Sequence, residues 1–322
     1  MKNGTGAPVG NARIRVSPEG ATEGIDLITR SDGRAVFIST LDRLETNGPI
    51  NVTAISPGGP PVVQTVAAGL DRCTIVLPTA SGSLPRNLDI AIVLDTTGSM
   101  GDEIRFLKAE VKDIAAKLRE KFPNVNQRFS LICYRDVGQG DEYVTRKFDF
   151  TGDLNEFHSN LSKQSAAGGG DLPEAMHKGL EDAVNLQWRD QETARILFLI
   201  ADAPPHAADA NATLTHIKTL RKKGVAIYPL FASCNDAAAV EATELVMRGT
   251  AMATGAQYLF LTNDSGVGDS HAEPHIPYYH VEKLNGLMTR MIAGELTGLR
   301  TDPDSKSIIR TVGQPPKPGR QE

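Results

Sequence analysis

Three oxygen-bearing side chains alternate in one short stretch of the sequence and could together bind a metal ion. In LDIAIVLDTTGSM, residues 88–100, an apolar run ends at Asp95, and Thr97 and Ser99 follow at intervals of two. Carboxylate and hydroxyl oxygens are the ligands that hard cations such as Mg²⁺ and Mn²⁺ prefer. A turn that leaves a strand can aim alternate side chains in one direction. We therefore predict that Asp95, Thr97 and Ser99 belong to one divalent metal site.

Two further segments supply carboxylates for the same site. Asp202 ends the apolar run RILFLIAD, and Asp171 lies in the glycine-rich stretch AAGGGDLPEA, residues 166–175. Ligands of open α/β sheets bind beyond the carboxyl ends of the strands, so Asp95 and Asp202 are expected to converge on one crevice. For Asp171 the alternative is helix capping, because Glu174 follows three residues later as in a capping box. The two roles are compatible if different oxygens serve them.

The hydrophobic pattern after residue 88 predicts the elements that position these residues. Short, continuous apolar runs alternate with amphipathic segments, a pattern typical of a parallel sheet with helices on both faces. The apolar residues that follow Met100 recur every three or four positions and form one stripe: Ile104, Leu107, Val111, Ile114, Leu118 and Phe122. An antiparallel edge strand is predicted at 142–152, and further helices are predicted at 172–187, 211–223, 237–253 and 280–294. The fold class is therefore α/β, with a doubly wound, mostly parallel, Rossmann-like sheet.

In residues 1–80 the apolar residues recur with a different period. Ala12, Ile14 and Val16 alternate with polar residues, and similar alternation recurs further along this segment. Period-two patterns indicate half-buried strands, so an N-terminal all-β sandwich is predicted. The stretches GAPVGNARIRV, TRSDGRAVF, INVTAISPGG and CTIVLP resemble the carboxypeptidase regulatory-like, transthyretin-type β-sandwich. A generic immunoglobulin-like spacer is the alternative.

Four segments follow from these patterns. We predict a β-sandwich at 1–80, a linker at 81–87, an α/β domain at 88–297 and a disordered tail at 298–322. The linker is rich in small and polar residues, and the tail is rich in prolines and charges.

Composition narrows the classes of partner. The net charge of −5 provides no basic field for nucleic acid, and no apolar run reaches the roughly 18 residues that a membrane span needs. No nucleic-acid binding and no membrane insertion are therefore expected. The opening MKNGTGAPVG lacks the apolar segment of a secretory signal, which slightly favours a cytoplasmic location, or an extracytoplasmic one if a leader was removed. The three cysteines, Cys73, Cys133 and Cys234, lack the spacing of a zinc site and are interpreted as small buried residues.

The loop motifs resemble those of von Willebrand factor type A (vWA) domains. DTTGSM is similar to the family's Asp-x-Ser-x-Ser signature, with Thr97 in place of the first serine, and IADAPPH supplies the third-loop aspartate as Asp202. In the second loop GGGD replaces the usual glycine-threonine stretch, which places Gly170 or Asp171 near the threonine position. The combination of YRD (residues 134–136), GGGDLPEA and IADAPPH resembles the vWA branch found beside alpha-kinases and in bacterial relatives.

This resemblance implies binding rather than catalysis. In the family, a metal-ion-dependent adhesion site (MIDAS) holds Mg²⁺, or Mn²⁺ or Ca²⁺, and its open coordination position accepts an Asp or Glu carboxylate of a partner protein. The expected ligands here are Asp95, Thr97, Ser99, Asp171 and Asp202. Direct coordination by Asp171 would add a third negative charge and weaken the attraction for a partner carboxylate. Our hypothesis is therefore that Asp171 acts through water.

Two other functions are compatible with the same residues. DTTGS resembles the DKTGT motif of haloacid-dehalogenase-type phosphotransferases, in which the aspartate is the nucleophile, but Thr96 replaces the lysine of that motif. A structural scaffold with a vestigial metal site is the second alternative. Separately, the spacing of His271, His275 and His280 could form another metal site, although loop histidines are the simpler interpretation.

Overall fold

The central sheet and the helices that cover it form the larger part of the molecule. The computed structural model describes residues 1–45, 47–79, 84–138, 140–170, 172–232, 237–263, 265–268, 271, 278–303 and 308–311, with backbone alone at 237, 238, 278 and 308–311. The strands are β1 (Lys2–Asn3), β2 (Arg13–Pro18), β3 (Ile25–Ile28), β4 (Ile50–Ile55), β5 (Pro61–Val66), β6 (Val76–Leu77), β7 (Asn87–Asp95), β8 (Asn126–Tyr134), β9 (Thr145–Thr151), β10 (Thr193–Ala201), β11 (Val225–Phe231), β12 (Leu259–Phe260), β13 (Tyr278–Val281) and β14 (Ile308–Thr311). The α-helices are α1 (Ser39–Asp42), α2 (Gly101–Lys121), α3 (Leu154–Ser162), α4 (Met176–Val184), α5 (Ala210–Lys222), α6 (Ala237–Thr254) and α7 (Leu284–Thr297).

Six strands form the central sheet in the order β12-β11-β10-β7-β8-β9. All neighbours are parallel except β9, which pairs antiparallel with β8 at one edge, as the sequence predicted. Every residue of β10 is buried, as are eight of the nine residues of β7. Burial on both faces explains why these strands read as continuous apolar runs. The predicted α/β class is confirmed.

Helices cover both faces of this sheet. One face packs against α2, α3 and α7, and the other packs against α4, α5 and α6. The predicted apolar stripe of α2 is buried along its whole length against the first face. Within the described residues, no helix combines the length and the apolar character that crossing a lipid bilayer would require.

The N-terminal residues form a separate β region. The strands β3-β2-β4-β5 make an antiparallel sheet, and β1 pairs in parallel with β6 beside it. The alternating residues Ala12, Ile14 and Val16 are all buried in the core of this region. The antiparallel strands agree with the all-β expectation, whereas membership in the carboxypeptidase regulatory-like family and the domain boundaries stay predictions.

Buried ion pairs join this β region to the helices of the α/β domain. The Arg221 guanidinium of α5 binds both carboxylate oxygens of Asp42, with Nη1 3.1 Å from Oδ2. Arg30 lies 3.2 Å from Glu295 of α7 and also donates to the backbone carbonyl of Thr254. We call these contacts the seam.

The predicted start of the last helix is wrong. This helix begins at Leu284 rather than at residue 280, because Tyr278–Val281 is a strand. That strand pairs antiparallel with Ile308–Thr311, and the disordered tail at 298–322 stays a prediction. Both segments are rich in the β-branched and aromatic residues that favour strands. Their pairing is a contact between distant segments, so the composition of either one alone does not reveal it.

Of the cysteines, Cys133 is buried in β8 and Cys73 is half-buried, and both are free thiols. Cys234 lies outside the described residues. The interpretation of Cys133 as a small buried residue is confirmed, and Cys73 is more accessible than expected.

Candidate metal-binding site

The first and third loops meet where two neighbouring strands end. Asp95 is the last residue of β7, and Asp202 directly follows β10. The two strands pair in parallel with Leu94 opposite Ile200, so the aspartates lie at the same edge of the sheet. This edge is also the point where the strand order reverses, which is where open α/β sheets bind ligands. The structure thus brings Asp95 and Asp202 together.

The hydroxyls of the first loop alternate in direction. The backbone N–H and the hydroxyl of Thr97 donate to Asp95 Oδ1 at 2.9 and 2.7 Å. The Ser99 side chain lies close enough to Asp202 to favour the ionised form of that carboxyl and so lower its pKa, and Ser99 itself is exposed. The Thr96 hydroxyl instead contacts a backbone carbonyl of β8 at 2.9 Å. Thr97 and Ser99 therefore lie beside the two carboxylates, while Thr96 faces away.

The two aspartates are buried without compensating charge. Asp95 Oδ2 and Asp202 Oδ1 have no hydrogen-bond partner among the described residues, and no described Lys, Arg or His forms an ion pair with either side chain. Burial and the nearby charge of Asp202 raise the pKa of Asp95 to about 7, although the hydrogen bonds from Thr97 oppose this shift. Burial also raises the pKa of Asp202, and the Ser99 hydroxyl opposes it. A bound cation would relieve this unfavourable arrangement.

The glycine-rich second loop packs directly on the first. The Gly98 N–H donates to the Gly168 carbonyl at 3.2 Å. Gly169 has a φ of +90°, and a Cβ there would lie 2.7 Å from Glu174 Oε1 and 2.8 Å from Thr97 Cγ2. Both the backbone angle and the space therefore require glycine at this position. The run of glycines therefore allows the second loop to pack closely against the first.

Glu174 is a carboxylate at the site that the sequence analysis treated as a capping residue. It is buried, and its Oε2 has no hydrogen-bond partner among the described residues. Burial, followed by the charges of Asp95 and Asp136, raises its pKa to about 9. Asp171, which we predicted as the ligand of this loop, lies outside the described residues. In the sequence, Glu174 lies three residues after Asp171 in the same loop. This closeness was the available signal that Glu174 could also belong to the site.

The predicted capping box is wrong. Helix α4 begins at Met176, and its N-cap residue is Ala175, which makes no side-chain cap. The Glu174 N–H is instead bonded to the Pro204 carbonyl at 2.9 Å, as part of a short parallel bridge between the second and third loops. This long-range hydrogen bond holds the chain extended at Glu174. The helix therefore cannot start at residue 172.

Two charged residues after β8 connect the loops, and the sequence analysis assigned them no role. Arg135 donates to the backbone carbonyls of Thr96 and Ser165 at 3.3 and 3.2 Å, so it ties the first loop to the chain that enters the second. Asp136 accepts a hydrogen bond of 2.6 Å from His206 Nε2 in the third loop. Arg135 and Asp136 are both buried. Charged residues directly after an apolar strand were the available signal, because such residues are seldom buried without a partner.

The three C-terminal histidines do not share one environment. His271 is buried beside the first turn of α2, whereas His280 is exposed on β13. His275 lies outside the described residues. The structure therefore does not join His271 to His280 in a common site.

The donor set fits a hard divalent cation. Two carboxylates and two hydroxyls converge on the edge of the sheet, and each aspartate has an oxygen without a hydrogen-bond partner among the described residues. Oxygen-rich sites of this type suit Mg²⁺, Mn²⁺ or Ca²⁺ rather than ions that prefer thiolates. Asp95, Thr97, Ser99 and Asp202 are the described residues that could hold the ion, and their role as ligands stays a prediction.

Comparison with known proteins gives a family match over this region. A family model for the von Willebrand factor A domain matches residues 89–263, slightly more than half of the chain. The alpha-protein kinase vwkA of Dictyostelium discoideum is 30% identical over 122 residues, which cover 38% of this chain and 19% of that protein. Von Willebrand factor A domain-containing protein 7 of Mus musculus is 38% identical over 120 residues, 37% of this chain and 12% of that protein.

Solved structures resemble the chain more distantly. Proximal thread matrix protein 1 from the mussel byssus, with a zinc-occupied MIDAS motif, shares 18% identity at a TM-score of 0.40, covering 55% of this chain and 42% of that one. The curated relatives are much longer than the matched region, which spans 19%, 11% and 14% of the first three. The match to the family model confirms the resemblance seen in the loop motifs, while the kinase-associated branch stays a prediction. The chain belongs to the von Willebrand factor A domain family.

Proposed function

We propose that this chain is a non-enzymatic, divalent-metal-dependent protein-binding module. Asp95, Thr97, Ser99 and Asp202 would hold Mg²⁺, and an open coordination position would accept an Asp or Glu carboxylate from a partner protein. One observation carries the proposal: Asp95 and Asp202 are buried side by side, each with an oxygen that lacks a hydrogen-bond partner among the described residues. Such a pair is costly unless a cation binds between them.

The charge balance supports recognition of an anionic group. Two aspartates neutralise a divalent ion formally, and the hydroxyls of Thr97 and Ser99 add no charge. The ion would therefore still attract a carboxylate. Ser99 and Gly98 are exposed, so the first loop gives access to the site from solvent.

Two details of this proposal are the role of Asp171 and the identity of the ion. We retain the hypothesis that Asp171 contacts the ion through water, because direct contact would cancel the charge that attracts a partner. Mg²⁺ is the proposed ion, with Mn²⁺ and Ca²⁺ as the alternatives, since all three prefer oxygen ligands.

The test is selection of binding partners from a peptide or domain display library on the immobilised chain in Mg²⁺, with elution by EDTA. Selected partners should bind wild type and lose binding to Asp95→Ala. The matched control Asp26→Ala removes an exposed carboxylate that pairs with Arg15, and it should bind normally. Changing one Asp or Glu of the partner to Asn or Gln should abolish binding.

The other outcomes would point to the alternative functions. Binding that survives both EDTA and Asp95→Ala would contradict a metal-mediated contact. Absence of any stabilisation by Mg²⁺ or Mn²⁺ would indicate a scaffold with a vestigial site. Acid-labile phosphate on Asp95 would instead indicate a phosphotransferase.

A further inference from the structure

The outward face of α6 carries large apolar side chains that point away from the core. Leu245 and Met252 are 74% and 71% exposed, the two highest values among the large apolar residues that the structure describes. Ala242 and Gly249 on the same helix are exposed as well. These four residues recur at intervals of three, four and three, which places them in one row along the helix. We call this row the α6 stripe.

Packing against the core does not account for the α6 stripe. The core-facing side of α6 includes three buried threonines, and each hydroxyl donates to the backbone carbonyl four residues earlier, at 2.6, 2.8 and 3.1 Å: Thr243, Thr250 and Thr254. A surface helix usually turns its largest apolar side chains toward the core. Here hydroxyls face inward while Leu245 and Met252 face outward. Single exposed apolar residues need no explanation, but a continuous row of them is typical of an interaction surface.

Gly249 lies in the interior of α6, where the fold of a single copy does not require glycine. Its φ lies outside the left-handed region, and a Cβ added to it would have no described heavy atom within 4 Å. Glycine in a helix interior is less favourable than alanine, because it loses more conformational freedom on folding. The missing side chain does, however, let another helix approach this one closely. Gly249 is therefore better explained by a contact outside the single copy.

A cavity of about 370 Å³ lies beside the α6 stripe, between α5 and α6. Gly249 and Met252 line it from α6, and Leu214 lines it from α5. Its hydroxyls, those of Thr213 and Thr250, already donate to carbonyls of their own chain segments at 3.0 and 2.8 Å. The cavity therefore offers space and apolar contact rather than hydrogen bonds, which suits an apolar side chain.

The order of residues in the α6 stripe is complementary to itself. In an antiparallel pair of α6 helices whose two-fold axis passes position 247, Leu245 lies opposite Gly249 of the other copy. The same axis places Met252 opposite Ala242 of the other copy, because both pairs are centred on position 247. Each large side chain thus meets a small residue, and the two-fold axis makes every contact twice. A parallel pair would instead place Leu245 against Leu245 and leave the two glycines facing each other.

The charges beside the α6 stripe fit the same antiparallel arrangement. Arg248 and Glu241 are exposed on one flank of the stripe, and Arg248 lies 3.7 Å from Glu244 of its own helix. The two-fold axis brings this flank of both copies to one side, with the arginines near the centre and the glutamates toward the ends. Arg248 of each copy then lies between glutamates of both copies, so the charges across the contact are complementary.

We propose that this chain forms a two-fold symmetric dimer through antiparallel contact of the α6 stripes. Leu245 of each copy would lie over Gly249 of the other, at the edge of the cavity between α5 and α6. Burial of the exposed leucines and methionines would drive the association. This inference does not depend on the proposed metal-mediated function.

Sedimentation velocity of the full chain over a range of concentrations tests the proposal. Wild type should change from monomer to dimer as the concentration rises, and EDTA should leave the dissociation constant unchanged. Leu245→Glu should weaken the dimer by roughly tenfold or more, because it would bury an unpaired charge in the contact. Val63→Glu is the matched control, because Val63 is 62% exposed on β5, and it should leave the dimer intact.

Gly249→Ala separates a dimer contact from an effect on folding. The single copy has room for the added Cβ, so urea unfolding should show no loss of stability, whereas the dimer should be weakened by roughly tenfold because the helices can no longer approach as closely. Wild type that stays monomeric at about 100 μM would overturn the proposal. So would a dimer that keeps its dissociation constant in Leu245→Glu and Gly249→Ala, or one that dissociates in EDTA.

Discussion

Two of the regions that bury carboxylates treat the charge in opposite ways. In the seam, Asp42 is bound by Arg221, and Glu295 lies 3.2 Å from Arg30. At the loop edge, Asp95 and Asp202 face each other, and neither has an ion-pair partner among the described residues. The chain therefore pairs buried carboxylates with arginine where its two regions join. At the proposed metal site, by contrast, Asp95 and Asp202 are buried without a cationic partner among the described residues.

The difference follows from desolvation. A buried carboxylate must be protonated, paired with a cation or bound to a metal, because burial of an isolated charge is too costly. The seam carries its own cations within the fold. The site depends on protons or on an ion from solution, so its stability should respond to Mg²⁺, whereas that of the seam should not. Both regions respond to protons, because burial raises the pKa of Glu295 in the seam although Arg30 opposes the shift.

The largest expected effect comes from breaking the seam. Arg221→Met leaves Asp42 buried without its cation, and we expect a loss of about 3–5 kcal/mol in the free energy of unfolding. Urea unfolding measures it. The control Lys117→Met breaks an exposed pair with Asp113 and should cost less than about 0.5 kcal/mol. A similar small loss for both variants would show that the seam pair does not carry the charge compensation assigned to it.

Binding of Mg²⁺ at the site should raise the free energy of unfolding by a comparable amount. At an Mg²⁺ concentration about 100 times the dissociation constant, binding to the folded state should stabilise the chain by about 2.7 kcal/mol. Asp95→Asn and Asp202→Asn should remove this gain, whereas Asp26→Asn should keep it because Asp26 is exposed on β3. The measurement is urea unfolding with and without EDTA. Equal stabilisation of all four proteins would place the ion elsewhere.

The sequence predicts those parts of the site that depend on local pattern. Continuous apolar runs identified the parallel strands, and a carboxylate at the end of two such runs identified Asp95 and Asp202. The alternation of Thr97 and Ser99 followed from the geometry of a chain leaving a strand. These inferences need no knowledge of which distant segments touch.

The parts that the sequence could not predict are contacts between distant loops. A local pattern suggested a capping box formed by Asp171 and Glu174. A backbone hydrogen bond from Glu174 to Pro204 instead holds this segment outside the helix. Asp136 and His206 are 70 residues apart, and nothing in either neighbourhood indicates their contact. A local signal fails here because the tertiary hydrogen bond outweighs it.

Asp95 should contribute its own share to the pH dependence of stability. The folded-state pKa of Asp95 is about 7, above its usual value of 3.8, so the folded state holds a proton that the unfolded state has lost. In EDTA, Asp95 should therefore make stability fall as pH rises from about 4 to about 7, by at most about 1.4 kcal/mol per pH unit. Asp95→Asn should remove this share of the slope, while the raised pKa of Glu174 keeps a remainder. Unfolding measured across that range checks it, and an unchanged slope in the variant would assign the titration to other groups.

The smallest expected effect concerns the contact that orients the third loop. His206 donates to Asp136 at 2.6 Å and so holds the chain four residues after Asp202. His206→Gln should weaken Mg²⁺ binding by roughly tenfold, the size typical of residues that orient metal ligands, while Asp95→Asn should abolish it. Titration calorimetry measures the affinity, with His280→Gln as the exposed control. Because the substitution leaves both aspartates in place, the pH slope in EDTA should survive it. A variant that lost both the slope and the affinity would have disturbed the aspartate pair itself, and the division of roles between the ligands and the residue that orients them would then be wrong.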